Sequence, residues 1–423
     1  MPSSDRGTVH IIGAGMAGLA AAVRLAGSGR RVAIHEASLQ PGGRCRSYYD
    51  HAAGMVIDNG THILMSGNQA ALSFAQTIGS MGGLQVPAEA EFPFVDVSSN
   101  ERWTLRFNDG RLPWWVFDKE RRVPQTTVID YLLLARLAWA GDDRPIGNVM
   151  NCSGPIYDRL LHPLLLAALN IDPREGSSKL AAALIRQTLV LGGKACRPML
   201  SREGVGSVFV DPAIDYLKRH GASVALQDEL VSLELVGDRV TTLQFSDRTE
   251  QVGEDDRVIL AVPPYIATKM VPGLSAPSSF RGIVNAHFRV DPPAEMPPML
   301  GVVGGTCEWI FSLPGRMAVT ISAADRFFKL DREELARLIW AEVAAVSGLP
   351  ATLPPWQIVR ERRATFAATP EQNALRPKAE TAWQNLVLAG DWTATGLPAT
   401  LEGAIRSGYR AAELVGDRLR AAA

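Results

Sequence analysis

An α/β fold (α+β overall) with a Rossmann-like unit at its start is predicted by three features of the first residues. Val9-His10-Ile11-Ile12 is a short apolar strand, and Gly13-Ala14-Gly15-Met16-Ala17-Gly18 is a glycine turn opening an Ala/Leu-rich helix. Arg31 to Ile34 is a second strand ending at Glu36. Strand, turn, helix, strand and acid in this order hold the diphosphate and ribose of a dinucleotide. Gly13 permits the tight turn, Gly15 lets the backbone approach the diphosphate, and Gly18 lets the helix pack close to the strand. Met16 and Ala17 open the helix, whose free N–H groups and positive dipole end face the phosphates. Glu36 stands where a carboxylate accepts both ribose hydroxyls and repels a 2′-phosphate.

The next elements follow in chain order. Residues 8–62 form the first nucleotide unit, and Pro41-Gly42-Gly43-Arg44 gives it a backbone that can lie against a ligand with a cation beside its phosphates. A surface turn with a solvated arginine is the plainer reading, but its place just after the ribose-binding acid favours the ligand. Tyr48-Tyr49 and Val56-Ile57-Asp58-Asn59-Gly60-Thr61-His62 come after it. Residues 63–200 carry helical patterns at Tyr131 to Trp139 and Tyr157 to Leu169, with loops rich in Trp and Pro around Trp103, Trp114 and Trp115. Either helix alone reads as core; together they suggest an apolar cavity or a membrane-facing mouth. Residues 205–262 return to an α/β pattern. A helix from Pro212 to Arg219 stops at His220-Gly221, and strands follow at Ser223–Leu226, Leu230–Val236, Val240–Phe245 and Val258–Val262. Residues 264–380 add strands such as Met317–Ile321 and an amphipathic helix from Arg332 to Val346.

Composition sets outer limits. A chain of 423 residues with formal net charge −1 is long enough for two domains and gives no reason to expect nucleic-acid binding. Cys45, Cys152, Cys196 and Cys307 lie far apart without a C-x-x-C pair, as reduced thiols of a cytoplasmic protein do, and no metal site is expected. Met1 to Gly7 is polar and short, with no secretory signal. The longest apolar candidate, Leu160 to Ile171, is interrupted by His162 and Pro163, so any membrane contact is expected to be peripheral.

The C-terminal region completes the pattern. Leu386-Val387-Leu388-Ala389 is a short buried strand ending at Gly390-Asp391-Trp392, and Pro398-Ala399-Thr400 leads into a helix starting near Leu401-Glu402-Gly403-Ala404. Taken alone this is an ordinary strand–loop–helix. Together with the glycine turn, Glu36, Gly42-Gly43-Arg44 and the Val258-to-Pro264 strand end, it resembles the FAD-containing amine oxidase and phytoene desaturase superfamily over nearly the whole chain. That resemblance implies an FAD-binding domain from residues 1–65, 201–264 and 381–423, with 66–200 and 265–380 forming a substrate domain with an apolar tunnel. It places Gly13, Gly15, Gly18, Gly42, Gly43 and Arg44 along the FAD diphosphate, Glu36 on the ribose and the Leu230 backbone at the adenine. It brings Gly60, Thr61 and His62 to the flavin ring, and Gly390 and Asp391 to the diphosphate–ribityl region. The helix start at Thr400, Leu401 and Glu402 points at the flavin N1/O2 edge, where its dipole favours an anionic reduced flavin.

Within that superfamily, amine oxidases usually carry an aromatic residue two positions before the last-motif glutamate and often a Trp shortly before it; here Thr400 and Leu397 stand there. The strings Asp58 to Asn68 and Gly390 to Thr400, with Phe209-Val210-Asp211-Pro212, resemble the squalene-associated enzymes of bacterial hopanoid pathways, the hydroxysqualene dehydroxylases. The implied reaction is reductive: hydroxysqualene loses its hydroxyl to become squalene, with reduced FAD supplying hydride to an allylic carbon. His62 is the first candidate for the proton donor, because its segment lies near the flavin and imidazole titrates near neutrality; its alternative role is to hold the Asn59–Thr61 loop. Glu402 and Asp211 are lesser candidates, His162 reads as core or tunnel lining, and Arg360-Glu361-Arg362-Arg363 as a solvated face or an anionic-lipid contact. No second dinucleotide motif identifies the electron donor. Implied partners are that donor, upstream squalene-pathway synthases and the cytoplasmic membrane face. A carotenoid-type desaturase or isomerase and a non-catalytic prenyl-binding escort protein remain the alternatives.

Overall fold

The computed structural model describes residues 7–421; the polar Met1–Arg6 stretch, read above as lacking a leader, and the last two residues lie outside the described residues. At its centre is a five-stranded parallel sheet in the order Ser223–Leu226, Arg31–Glu36, Thr8–Ile12, Arg257–Leu260 and Leu386–Leu388. Its strands come from four distant stretches of chain. A parallel sheet is covered on both faces, so its strands read as continuous apolar runs. Val9, Ile11, Ile34, Ile259 and Val387 point to one core, where the helices Met16–Ala26 and Leu401–Ala421 pack. Ile12, Val258, Leu260, Leu386 and Leu388 point to the other, under the antiparallel sheet of Leu230–Val236, Arg239–Phe245 and Thr249–Gln251. The two helices touch closely because glycine lies on the seam: a Cβ at Gly408 would strike the Ala17 carbonyl.

A seven-stranded sheet makes the second half, in the order Trp356–Phe366, Phe280–Phe288, Arg316–Ile321, Trp309–Leu313, Met299–Val303, Ala90–Asp96 and Glu101–Phe107. One face carries the helix Arg332–Ser347 over an aliphatic core. Asp331 caps that helix by accepting from the Glu333 and Glu334 N–H groups, and Gly348 ends it in the left-handed conformation. The other face is aromatic, with Phe94, Trp103, Trp115, Tyr131, Trp309 and Phe311 in one cluster. Among the described residues no helix is long and apolar enough to cross a membrane. All four cysteines are buried free thiols.

Three expectations for the region after residue 63 need correction. Trp103 is not in a loop; it sits in a strand hairpinned to Ala90–Asp96, where Phe92, Phe94, Trp103, Leu105 and Phe107 alternate inward. The helix expected from Tyr157 begins as a π turn, Tyr157–Leu161, and becomes α-helical only at His162–Leu169. Pro163 lacks the N–H that an α turn would use there, so the chain widens instead of breaking. The helix expected over Tyr131–Trp139 spans Leu132–Ala138, preceded by a 3₁₀ turn at Val128–Tyr131. Just past residue 65, the helix Gln69–Ile78 buries Ala71, Phe74, Ala75 and Ile78 in the core of the nucleotide half.

Candidate functional site

The site is built around the first glycine turn. Gly13 has φ +105°, and its N–H donates to the His35 carbonyl at 2.8 Å, which ties the turn to the second strand. A Cβ at Gly18 would run into the Gly13 carbonyl, so glycine is required for the helix to leave the strand this tightly. Gly15 is different. Its backbone is ordinary (φ −73°), and a Cβ there would meet nothing within 4 Å. The open space lies above the helix Met16–Ala26, whose N-terminus has no side-chain cap and no acid in its first turn. The first-turn N–H groups of this helix have no intrahelical acceptor. That is the donor set an anion takes up.

Two further segments close on this space. Gly42 and Gly43 both have positive φ, Gly42 bridges to Gly15, and its N–H donates to the Ala14 carbonyl at 2.8 Å. A Cβ at Gly43 would meet only the Gly15 Cα, at 3.4 Å. Arg44 then reaches across the molecule: its guanidinium donates to Asp391 Oδ1 at 2.8 Å and to the Ala364 carbonyl. Residues 347 positions apart in the chain thereby share one ion pair. Gly390 (φ +151°) donates its N–H to Ser407 Oγ at 2.8 Å, which anchors the Asp391 turn to the last helix.

Glu36 ends its strand with the carboxylate turned to the same turn. It accepts from the Ala14 N–H at 2.7 Å and the Ser38 N–H at 2.9 Å. Leu230 is brought near by a neighbouring loop: the Asp228 N–H donates to the Glu36 carbonyl at 2.8 Å. That loop is held by a buried polar chain in which Arg248 and His35 both bond Asp228, and His10 Nδ1 lies 3.3 Å from His35 Nε2. Glu250 lies 3.7 Å from His10, and with the two histidines it has the residue types of a metal group. The ring centroids are 5.5 Å apart, however, so the facing nitrogens point at one another as in an N–H···N bond.

The Asn59–His62 loop lies alongside. It is fixed from the second half by Asn285, which donates to the Asn59 carbonyl at 3.1 Å, and by His287, whose ring N–H donates to the Asp58 carbonyl at 2.9 Å. Thr61 Oγ1 is buried with no hydrogen-bond partner among the described residues. His62 Nε2 lies 3.7 Å from Cys45 Sγ. Burial holds the His62 imidazole below its ordinary value, partly offset by Asp58. The ring is therefore neutral at neutral pH, and any proton it gives comes from a neutral N–H rather than an imidazolium.

The last helix contributes its start but not its acid. Thr400 Oγ1 accepts from the Gly403 N–H at 3.0 Å, at the start of the last helix. The Glu402 carboxylate is turned away and buried. It accepts from the Ala70 and Ala71 N–H groups at 3.1 and 2.9 Å and from Arg406 at 2.7 Å, capping the helix Gln69–Ile78. Its side chain is thus structural, which removes it as a proton donor. Asp211 is exposed at the start of the helix Asp211–Arg219. His162 packs edge-on against Tyr157 in the second half.

One organiser was invisible in the sequence. Arg376 is buried and donates to the carbonyls of Asp391, Thr393 and Leu397 and to Thr395 Oγ1 and Asn373 Oδ1. Burial pushes its guanidinium down to about 10, so it keeps its charge at neutral pH. It wraps the loop that presents Asp391. A lone arginine before a proline carries no local signal of that role; only its long-range partners reveal it.

The residues fit a dinucleotide: an open cradle at Gly15 and Gly43, an uncapped helix start at Met16, an acid at the strand end and an orphaned hydroxyl. Comparison with known proteins agrees. Residues 16–416 match the family described as flavin containing amine oxidoreductase. A hydroxysqualene dehydroxylase of Rhodopseudomonas palustris is 56% identical over 409 residues, which cover 96% of this chain and 98% of the relative. One from Sinorhizobium fredii is 55% identical over 406 residues, 96% of this chain and 97% of the relative. Cyclohexylamine oxidase from Brevibacterium oxydans shares the fold, with TM-score 0.71 at 17% identity over 98% of this chain and 100% of that one. A flavin held on a dinucleotide cradle is FAD. The chain therefore belongs to the flavin-containing amine oxidoreductases and, among them, to the hydroxysqualene dehydroxylases.

Proposed function

We propose that this protein removes the hydroxyl of hydroxysqualene reductively, giving squalene and water. The observation that carries the reading is near-full-length identity of 56% and 55% to proteins bearing that name. Leu397 and Thr400, where an aromatic amine cage would otherwise stand, agree with an apolar substrate. In the balance, the C–O bond breaks, a C–H bond forms, and the oxygen leaves as water after gaining one proton. Bound and reduced, FAD supplies the hydride and its two electrons.

The chain's own residues do the rest. The Met16 and Ala17 N–H groups, Gly42, Gly43 and the Arg44–Asp391 pair receive the diphosphate, and Glu36 accepts the ribose hydroxyls. The Leu230 backbone meets the adenine. Gly60 and Thr61 approach the flavin ring, with the Thr61 hydroxyl supplying a hydrogen bond it lacks within the protein. The Leu401–Glu402 helix start would offer its positive end to the flavin ring and favour a reduced, anionic form. His62 hydrogen-bonds the departing oxygen through its neutral ring N–H, which weakens a poor leaving group. Segments 1–65, 201–264 and 381–423, joined by the helix Gln69–Ile78, form the cofactor half. The remaining segments supply a dry apolar chamber that keeps water from the electron-poor allylic carbon. An apolar substrate and product place the protein peripherally at the cytoplasmic face of a membrane, beside a separate electron donor and the synthases that deliver the alcohol.

The test is an anaerobic incubation of purified holoprotein with hydroxysqualene and chemically reduced FAD, with products identified by mass spectrometry. Squalene is expected. New double bonds in a polyene would make the protein a desaturase, and a colourless protein that takes up no FAD would make it a binding protein. His62→Phe should lower turnover about 10²-fold while flavin content stays full.

A further inference from the structure

We propose that the outward face of residues 111–139 is the surface by which this protein docks on an anionic phospholipid bilayer and draws its triterpenol from it. The proposal rests on the substrate reading above. Leu112, Trp114, Phe117, Ile129, Leu132 and Trp139 are each between 63% and 74% exposed. Single exposed apolar residues are ordinary, but six large ones within one short segment are not. They fall in two adjoining pieces. The Trp114 and Phe117 rings lie 6.1 Å apart on the 3₁₀ turn Trp114–Phe117. Ile129, Leu132, Arg136 and Trp139 recur at helical spacing along Val128–Tyr131 and Leu132–Ala138, so they share one outward face. The pieces are locked together from beneath by Trp115, whose ring meets the Tyr131 ring edge-on at 4.9 Å. A rigid platform with tryptophans on its rim matches the headgroup–acyl boundary, where an amphipathic indole is most at ease.

The charge pattern selects the partner. Arg111, Lys119 and Arg136 are exposed on this segment with no acidic partner among the described residues. Its acids are mostly engaged: Asp109 by Arg197, Asp118 by Arg121, and Asp130 by the N–H and hydroxyl of Thr127. Glu120 alone is left. Such a face is complementary to anionic headgroups, each nearby cation adding to the attraction.

The inner side of the same platform leads to the site. Trp115, Val116 and Tyr131 belong to an aromatic cluster against which Ile63 and Met65 also pack. Ile63 follows His62 directly, and Met65 stands two residues further on. Apolar packing thus runs from the exposed platform to residues adjoining the candidate flavin loop.

Flotation of the holoprotein with vesicles of phosphatidylcholine, alone or mixed with phosphatidylglycerol, tests this. Binding to the mixed vesicles is expected, weaker binding to the neutral ones, and a blue shift of tryptophan fluorescence on binding. The triple variant Trp114→Ser/Leu132→Ser/Trp139→Ser should bind at least about tenfold more weakly. Arg111→Gln/Arg136→Gln should lose the preference for phosphatidylglycerol. Both should keep flavin content and turnover of detergent-solubilised hydroxysqualene. Should the triple variant lose its flavin spectrum, the single Trp139→Ser decides, with a severalfold loss expected. Failure of the wild type to float, or variants that float like it, overturns the docking surface. A wild-type dimer that the triple variant converts to monomer overturns it too, assigning the face to a second copy. Vesicle binding without turnover in detergent would refute the substrate reading and leave the docking surface standing.

Discussion

Gly15 and Gly18 stand three residues apart in the same turn, yet the structure separates their roles. A side chain at Gly15 meets no protein atom within 4 Å, whereas one at Gly18 runs into the Gly13 carbonyl. Gly15→Val should therefore cost the apoprotein only what a poor residue costs at a helix N-cap, about 1 kcal/mol. Its γ-methyl groups, however, fill the space proposed for the diphosphate and screen the Met16 and Ala17 N–H groups. Loss of that contact is expected to raise the FAD dissociation constant at least about 100-fold, close to 2.7 kcal/mol. Gly18→Val should do the reverse, separating the helix from its strand and lowering apoprotein stability by about 3 kcal/mol or more. Urea unfolding of both apoproteins, with flavin titration followed by fluorescence quenching, measures the two quantities independently. If Gly15→Val bound FAD as tightly as the wild type, the diphosphate would not lie over this turn, and the cradle argument would be wrong.

Three other consequences can be measured. His287 is wholly buried, with one ring nitrogen donating to Asp58 and the other unpartnered; burial pushes its imidazole down to about 4. The unfolded chain takes up that proton near pH 6.5 and the native one does not, so its contribution is complete above pH 6.5 and lost as pH falls towards 4. Wild type should lose about 2 kcal/mol more than His287→Gln between pH 8 and pH 5, read from urea midpoints. Glu308 has the opposite sign: burial raises its carboxyl to about 7, and one oxygen has no partner. Its neutral form stabilises the native state at low pH, and the benefit fades as pH rises from 4.5 to 7. Glu308→Gln should therefore gain about 2 kcal/mol relative to wild type on going from pH 5 to pH 8. Arg376→Met would strand the Asp391, Thr393 and Leu397 carbonyls; a loss of about 3 to 5 kcal/mol is expected, with weakened flavin retention reporting the displaced Asp391 turn.

Local elements of the nucleotide half were legible because each has a local cause. The turn residues, the apolar runs of strands covered on both faces, and the helix stop at His220-Gly221 all act within a few residues. The hairpin of Ala90–Asp96 and Glu101–Phe107 was also written in alternation, but the Trp- and Pro-rich composition around Trp103 suggested a loop. Pro93 is tolerated within that strand, and Trp103 is an inward-facing member of its partner strand. The carboxylate of Glu402 shows the limit of motif position. Its place in the chain suited a flavin contact, yet the nearby uncapped start of the helix Gln69–Ile78 offered two backbone donors, and a buried carboxylate takes the donors it can reach.

What the sequence determined by itself was a set of short-range instructions: where the backbone turns, which face of each strand is apolar, and which ends of helices are left uncapped. Tertiary structure alone decided which of those ends meet. Arg44 and Asp391 share an ion pair, Asn285 and His287 steady the Asn59–His62 loop, and Arg376 gathers the turn that carries Asp391. The reason is that such contacts depend on the closure of a core whose strands come from distant parts of the chain, and no local pattern encodes the partner of a side chain that waits for that closure.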